Sequence, residues 1–362
     1  MNAVSPSVLA STGEKGSTQE QMTPPRAFET ASWLLRIGIF IHAAALFIFV
    51  FSTRQTQFGN LLFMEWLIHS EDPYLAAVWV EKITVSLYLA AGMVILFKPF
   101  WPLLLLMAGY AFLEAYSGVF NAGYRFSEWT IAAHALRFGF PLVLLIVVIG
   151  PRIPALRNWT APAAASLLRV LVAVVFFTHG YQALMEDPRF IDLIIGTSAN
   201  VLDVRISEAT AVVILKGIAV VDFCVALAVI VYPTPLFVPA KLWASPCPVC
   251  AIRRVIVPSL MIWLAGWGLI TALSRMTSLG YPVGLSQYPE LLIRASHVLG
   301  PLALWSLFAA SYRPHACNLF TESRTATIGE ESDLSESGDR TTIPDRSEPM
   351  PAMPGTSSRN AR

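Results

Sequence analysis

Residues 107–125 read MAGYAFLEAYSGVFNAGYR, and residues 264–282 read LAGWGLITALSRMTSLGYP. The two stretches align without a gap, and small and aromatic residues recur at the same places along them. The matched pairs are Ala108 with Ala265, Gly109 with Gly266, Tyr110 with Trp267, Ala115 with Ala272, Ser117 with Ser274, Gly123 with Gly280 and Tyr124 with Tyr281. Self-similarity of this kind indicates a repeated structural unit.

The repeat extends beyond these two stretches. Further matches are Lys82 with Lys216, Pro99 with Pro233, and Leu34-Leu35-Arg36 with Leu167-Leu168-Arg169. We therefore place a first unit at residues 31–150 and a second unit at residues 164–312. The flanking residues 1–30 and 320–362 are rich in Ser, Thr, Pro and acidic side chains. Segments of that composition bury too little apolar surface to fold, so we predict two disordered tails.

Apolar runs of membrane-spanning length fill both units. The chain is 55% hydrophobic and 14% charged, whereas an ordinary soluble domain has about 25% charged residues. A helix needs about 20 apolar residues to cross a bilayer, and such runs lie at 31–52, 78–97, 101–120, 130–149, 165–185, 210–232, 254–274 and 291–311. Open sheets and bare loops cannot satisfy their backbone groups in lipid. The sequence therefore predicts an all-α polytopic membrane protein, with eight transmembrane helices as two tandem four-helix bundles in a lipid bilayer.

Charged residues are distributed unequally between the two sets of loops. The loops near residues 98–101, 150–163 and 233–253 carry lysine and arginine and no carboxylate, whereas the opposite loops carry many acidic residues together with several arginines. Because positive loops stay in the cytoplasm, we predict a multi-pass protein of the cell membrane with both termini cytoplasmic. The net charge of +1 argues against a nucleic-acid partner.

Two histidines of the second unit are predicted to lie at one depth. At a rise of about 1.5 Å per residue, His179 is about 9 Å inside the outer end of helix five, and His297 is about 10 Å inside that of helix eight. The first and last helices of a small bundle are often neighbours, so the two imidazoles could face each other. In the first unit, His134 matches the depth of His297, but Leu46 takes the place of His179.

Several roles are open for this pair of imidazoles. They could hydrogen-bond a quinone carbonyl, ligate a b-type haem axially, or pass protons. Alternatively, each could bond a polar group on a neighbouring helix and have only a structural role. For the buried acids, we expect Asp222 to pair with an arginine or lysine of an adjacent helix, and Glu114 to pair with Arg137.

A cysteine motif follows the sixth apolar run. Cys247 and Cys250 form a C-P-V-C motif before helix seven, and His315 and Cys317 form H-A-C after helix eight, so both motifs leave the membrane at the same face. Three thiolates and an imidazole could complete a tetrahedral zinc site. A reversible dithiol is the second interpretation, and the absence of any chemistry is the third.

The second unit resembles the DoxX/DoxD-like membrane family. The resemblance rests on LLRVLVAVVFFTHGYQAL at 167–184 and LKGIAVVDFCVALAVIV at 215–231, and it covers about 150 residues of this unit. It implies a four-helix membrane bundle and, for some members, a small subunit of a quinone-coupled sulfur-oxidising enzyme. The positions that it implies for function are Arg169, His179 and Asp222. The first unit departs from the pattern, because Leu46 and Tyr88 stand where the second unit has His179 and Asp222.

These observations favour a quinone-associated redox component that works beside a partner redox subunit. We predict His179, His297, Arg169 and Asp222 as cofactor-binding residues, with quinone as the first candidate cofactor and haem b as the second. The sequence contains no nucleotide-binding glycine loop and no hydrolase or zinc-protease motif, and it assigns no catalytic residue. A non-catalytic membrane scaffold and a small-solute carrier are the alternative functions.

Overall fold

The computed structural model describes residues 26–52, 56–120, 126–231, 248–277 and 288–311. Every regular element in these ranges is helical. Eight segments are long and apolar enough to cross a membrane: Arg26–Phe51, Pro73–Phe97, Trp101–Phe120, Ser127–Arg152, Thr160–Leu184, Glu208–Val231, Ile256–Thr277 and Tyr288–Ala310. The prediction of an all-α protein with eight transmembrane helices is therefore confirmed. The first helix begins at Arg26, so residues 26–30 are helical and do not belong to a disordered tail.

Twelve α-helices make up the described part of the chain. Those of the first unit are α1 (Arg26–Phe51), α2 (Gln57–Leu61), α3 (Pro73–Phe97), α4 (Trp101–Phe120), α5 (Thr130–Ala133) and α6 (Ala135–Ile149). Those of the second unit are α7 (Thr160–Leu184), α8 (Pro188–Leu202), α9 (Glu208–Val231), α10 (Pro248–Thr277), α11 (Tyr288–Leu292) and α12 (Ala295–Ser311). Each unit thus has a short extra helix, α2 or α8, between its first and second spans, which the hydropathy of the sequence does not predict.

The fourth span of each unit is broken rather than continuous. The break lies at His134 between α5 and α6, and at residues 293–294 between α11 and α12. At both breaks the backbone makes a tighter i→i−3 bond, from Arg137 N to His134 O at 2.9 Å and from His297 N to Arg294 O at 2.9 Å. Both breaks place ionisable side chains within the spans, where such residues are costly and are often functional.

The two units pack in the same way. In each of them the first span packs against the second and the fourth, and the third packs against the fourth. The first and fourth spans also form the contact between units, because α1 packs against α12 and α6 packs against α7. Buried side chains such as Leu35, Phe140, Leu168 and Leu304 belong to one continuous apolar core. The arrangement as two separate bundles stays a prediction.

Candidate functional site

A cavity of about 110 Å³ lies inside the second unit. Each of its four spans contributes a polar side chain to the wall: His179 from α7, Asp222 from α9, Trp267 from α10 and His297 from α12. The remaining wall is mostly apolar and includes Phe176, Phe190, Ile194, Leu215 and Ile218. We call this space the second-unit cavity. Its volume is of the same order as, and somewhat smaller than, the roughly 150 Å³ cavity that binds benzene in an engineered protein.

The two histidine side chains face each other across the second-unit cavity. Their ring centroids are 5.7 Å apart and the ring planes are inclined by 31°, so the facing pair predicted from helix depth is present. His179 Nδ1 lies 3.2 Å from the side-chain oxygen of Gln182. The Nε2 atoms of both His179 and His297 are buried and have no hydrogen-bond partner among the described residues. Buried polar atoms of this kind are rare in folded proteins and call for a partner.

Asp222 is bonded to an indole and not to a cation. Its Oδ1 accepts a hydrogen bond of 2.9 Å from Trp267 Nε1, and the residue is 4% exposed. The expectation that Asp222 pairs with an arginine or lysine is therefore wrong. An indole N–H can only donate, so this bond holds the carboxylate at the wall and links α9 to α10. The aligned pair in the first unit, Tyr88 and Tyr110, is also in contact, with ring centroids 4.7 Å apart.

Two glycines let the helices approach closely around the second-unit cavity. A Cβ atom on Gly268 would lie 2.5 Å from the carbonyl oxygen of His297, and one on Gly180 would lie 3.1 Å from Cβ of Asp222. The first distance is far shorter than any van der Waals contact, so only glycine permits α10 to pack this closely against α12. Gly268 thereby places the wall of α10 next to His297.

Helix α8 covers one side of the second-unit cavity. Asp187 caps its first turn by accepting from Arg189 N at 3.0 Å, and Phe190 lies over His179 with ring centroids 5.8 Å apart. The other end is attached to α10, because Asn200 Nδ2 donates to Thr277 O at 2.9 Å. Helix α8, which was not predicted, thus forms part of the wall around the predicted site.

The helix breaks fix the correspondence between the two fourth spans. Aligning the breaks matches Pro141 with Pro301 and Ala135 with Ala295. In this register His134 corresponds to Arg294, and Arg137 corresponds to His297. The earlier match of His134 with His297 was based on their depth below the helix ends and is therefore wrong. An estimate of depth from the helix ends assumes an unbroken helix, and both fourth spans are broken.

In the first unit, the corresponding place is filled by side chains that pair with each other. Glu114 Oε2 lies 3.5 Å from Arg137 Nη1 and 3.7 Å from His134 Nδ1, and all three belong to the fourth span or the helix before it. The predicted pairing of Glu114 with Arg137 is confirmed. In the second unit the position of Glu114 is taken by Thr271, whose smaller side chain lines the cavity.

Arg169 is not brought to the second-unit cavity. Its Nε donates to the carbonyl oxygen of Val229 and its Nη2 to that of Ile230, which are carbonyls of the last turn of α9. Those carbonyls have no partner within their own helix. Arg169 is ten residues before His179, about 15 Å along α7. The structure gives this residue a role in capping α9.

The predicted zinc ligands Cys247, His315 and Cys317 lie outside the described residues, and of Cys250 only the helical backbone is described. In the described ranges, no group of three or more His, Cys, Asp or Glu side chains is arranged to hold a metal ion. The zinc site stays a prediction.

Sequence reasoning missed several residues of the site. Trp267, Gly268, Thr271 and Arg275 line the cavity although none was singled out for function, and Arg294 was noted only as an intramembrane charge. The alignment of Trp267 with Tyr110 was the one available signal. Comparison with known proteins gives no significant match: no family model matches the chain, and no curated protein or solved structure is significantly similar to it.

Proposed function

We propose that this chain is a quinone-binding component of a membrane redox system and that the ring of the quinone enters the second-unit cavity. The observation that supports this most strongly is the pair of adjacent imidazoles on a small, mostly apolar cavity, whose Nε2 atoms are buried and lack hydrogen-bond partners among the described residues. Ligand sites of this kind combine an apolar wall with a few convergent polar groups. The resemblance to DoxX/DoxD-like proteins supports the same function.

The two imidazoles have different parts in this proposal. An amide oxygen can only accept a hydrogen bond, so Nδ1 of His179 carries a proton toward Gln182 and leaves the lone pair on Nε2. His179 Nε2 is then the acceptor for a ring hydroxyl, and His297 donates to the second oxygen or holds its proton. Asp222, held by Trp267, exchanges protons with the cavity. When bound, the quinone supplies two-electron, two-proton carrier chemistry, and a partner subunit is the source or acceptor of the electrons.

Haem is not part of this proposal. A porphyrin macrocycle consists of four linked five-membered rings and needs a pocket of several hundred Å³, as drug-sized ligands do. The second-unit cavity, at about 110 Å³, is much smaller. The residues present fit a single ring and do not fit a macrocycle.

Quinone binding by the protein purified in mild detergent tests the proposal. Trp267 lines the cavity, so a bound quinone should quench its fluorescence. Titration with menadione, whose quinone ring would enter the cavity while its fused benzo ring stays at the opening, measures the affinity. We expect His297→Ala to lose at least about tenfold in affinity for menadione, the equivalent of one hydrogen bond of about 1.4 kcal/mol. His179→Ala should lose as much in affinity for the reduced form, menadiol, because only a ring hydroxyl can donate to His179 Nε2. Trp267→Phe identifies the part of the quenching that arises at this site.

His134→Ala is the matched control, because His134 is an intramembrane histidine of the fourth span in the other unit. It should leave the affinity for menadione unchanged. If His297→Ala binds menadione as well as the wild type does, and His179→Ala binds menadiol as well, with all proteins folded, the ring does not bind at these imidazoles.

A further inference from the structure

The two units have basic side chains at corresponding positions but differ in the carboxylate beside them. In the first unit, the carboxylate of Glu114 lies between Arg137 and His134, at 3.5 Å and 3.7 Å. In the second unit the corresponding cationic or basic side chains are His297 and Arg294. The carboxylate has no counterpart, because Thr271 occupies that position, and its hydroxyl donates to its own helix at Gly268 O over 2.9 Å.

Arg294 is a cation on the cavity wall, and the described side chains around it do not fully balance its charge. Its Nε is buried and has no hydrogen-bond partner among the described residues. The charged side chains around it include Arg275, Arg137 and Glu290. A guanidinium keeps its charge in a protein, and Arg294 is half-buried, so its unpartnered Nε carries the cost of a buried polar atom without a hydrogen bond. The site therefore favours an anionic partner at Arg294.

Asp222 is the one carboxylate among the residues that line the second-unit cavity, and it does not provide this partner. It belongs to α9, and its Oδ1 accepts from Trp267 at 2.9 Å. Arg294 lies on the broken span of α11 and α12, beside His297 and Thr271 on the cavity wall. The cavity thus has an acidic side at Asp222 and a basic side at Arg294.

We propose that an ionised oxygen of the ligand takes, in the second unit, the place that the Glu114 carboxylate takes in the first. This inference rests on the proposed quinone site and names its substrate class: quinones that bear an ionised ring hydroxyl. The charged oxygen lies against Arg294, with His297 beside it, and a charge-assisted hydrogen bond of this kind is about twice as strong as a neutral one.

Two probes of similar size test this selectivity. Lawsone is a hydroxynaphthoquinone that is an anion at neutral pH, and menadione is a neutral methylnaphthoquinone. We expect the wild type to bind lawsone about tenfold more tightly than menadione, since a hydrogen bond to a charged group is about twice as strong as a neutral one. Arg294→Gln should remove this preference, and Arg36→Gln, which changes an arginine over the Trp33 ring, should keep it.

Two further substitutions are expected to change the affinity for lawsone in opposite directions. They test the proposal even if the Arg294→Gln variant does not fold. Thr271→Glu rebuilds the first-unit arrangement, so it should abolish lawsone binding and raise the thermal stability of the ligand-free protein above that of Thr271→Gln. Asp222→Asn removes the opposing charge and should strengthen lawsone binding while the affinity for menadione changes less.

The outcomes distinguish the proposed quinone site from its proposed selectivity for an anionic quinone. If menadione binds in a His297-dependent manner and lawsone binds no better, the quinone site stands and the selectivity for an anion is wrong. If neither probe binds, the proposed function itself fails. Thr271→Glu that binds lawsone as well as the wild type does would overturn the correspondence with Glu114.

Discussion

The buried pair of Glu114 and Arg137 allows a prediction that can be worked out in free energy. The two side chains are 7% and 8% exposed and their closest charged atoms are 3.5 Å apart. At an effective dielectric constant of about 20, opposite charges at this distance attract by about 5 kcal/mol. Desolvation offsets most of that gain, so removing one partner is expected to cost about 3–5 kcal/mol while removing both is nearly neutral.

The two single substitutions should differ in their dependence on pH. Glu114→Gln leaves Arg137, which cannot lose its charge, so the loss of about 3–5 kcal/mol should be the same at pH 7 and pH 5. Arg137→Met leaves Glu114, which escapes the buried charge by binding a proton. Protonating a glutamate costs about 1.4 kcal/mol for each pH unit above its ordinary pKa of about 4.3. The loss of stability in Arg137→Met is therefore limited to about 4 kcal/mol at pH 7 and about 1 kcal/mol at pH 5.

Reversible unfolding in mixed micelles, measured at both pH values, provides the assay. The double variant Glu114→Gln/Arg137→Met should lie within about 1–2 kcal/mol of the wild type, and Arg36→Met should be nearly neutral as an arginine outside the pair. Additive losses in the double variant, or an Arg137→Met loss that does not shrink at pH 5, would refute the reasoning.

Three further outcomes are expected. Gly268→Ala should lower the affinity for menadione more than tenfold, because its Cβ would lie 2.5 Å from His297 O, whereas Gly266→Ala, with nothing within 4 Å, should bind normally. Arg169→Met should cost about 1.5–3 kcal/mol of stability by freeing carbonyls at the end of α9, and equilibrium unfolding should record this loss without a change in menadione affinity. Reporter enzymes fused to either end of the chain should be active only if they function in the cytoplasm; activity of a periplasm-dependent reporter would reverse the proposed orientation.

The sequence predicted the features that depend on the length of an apolar run and on the rise per residue of a helix. All eight spans were predicted, because a run of about 20 apolar residues has few alternatives to a membrane helix. The facing of His179 and His297 followed from a fixed rise per residue. Helix α8 was not predicted, since its polar face and short length do not distinguish it from a loop in a hydropathy profile.

The partners of individual side chains depend on helix rotation, which hydropathy does not determine. Asp222 was expected to meet a cation but meets Trp267. Arg169 was expected at the cofactor site but caps α9. The break at His134 lies within an apolar run that looks continuous in sequence, so the register between the fourth spans required the structure.

The duplicated unit serves as an internal comparison for the second-unit cavity. In the first unit, Glu114 supplies a carboxylate partner for Arg137 of the fourth span, although His134 Nδ1 and Arg137 Nε still lack a hydrogen bond among the described residues. The second unit has Thr271 in place of Glu114, and imidazole nitrogens of His179 and His297 and Nε of Arg294 are buried without a hydrogen bond in the same described ranges. Each such atom costs about 1–3 kcal/mol when left unsatisfied. Because a single change at Thr271 would supply a carboxylate, we propose that the second unit is a site whose partner comes from outside the chain.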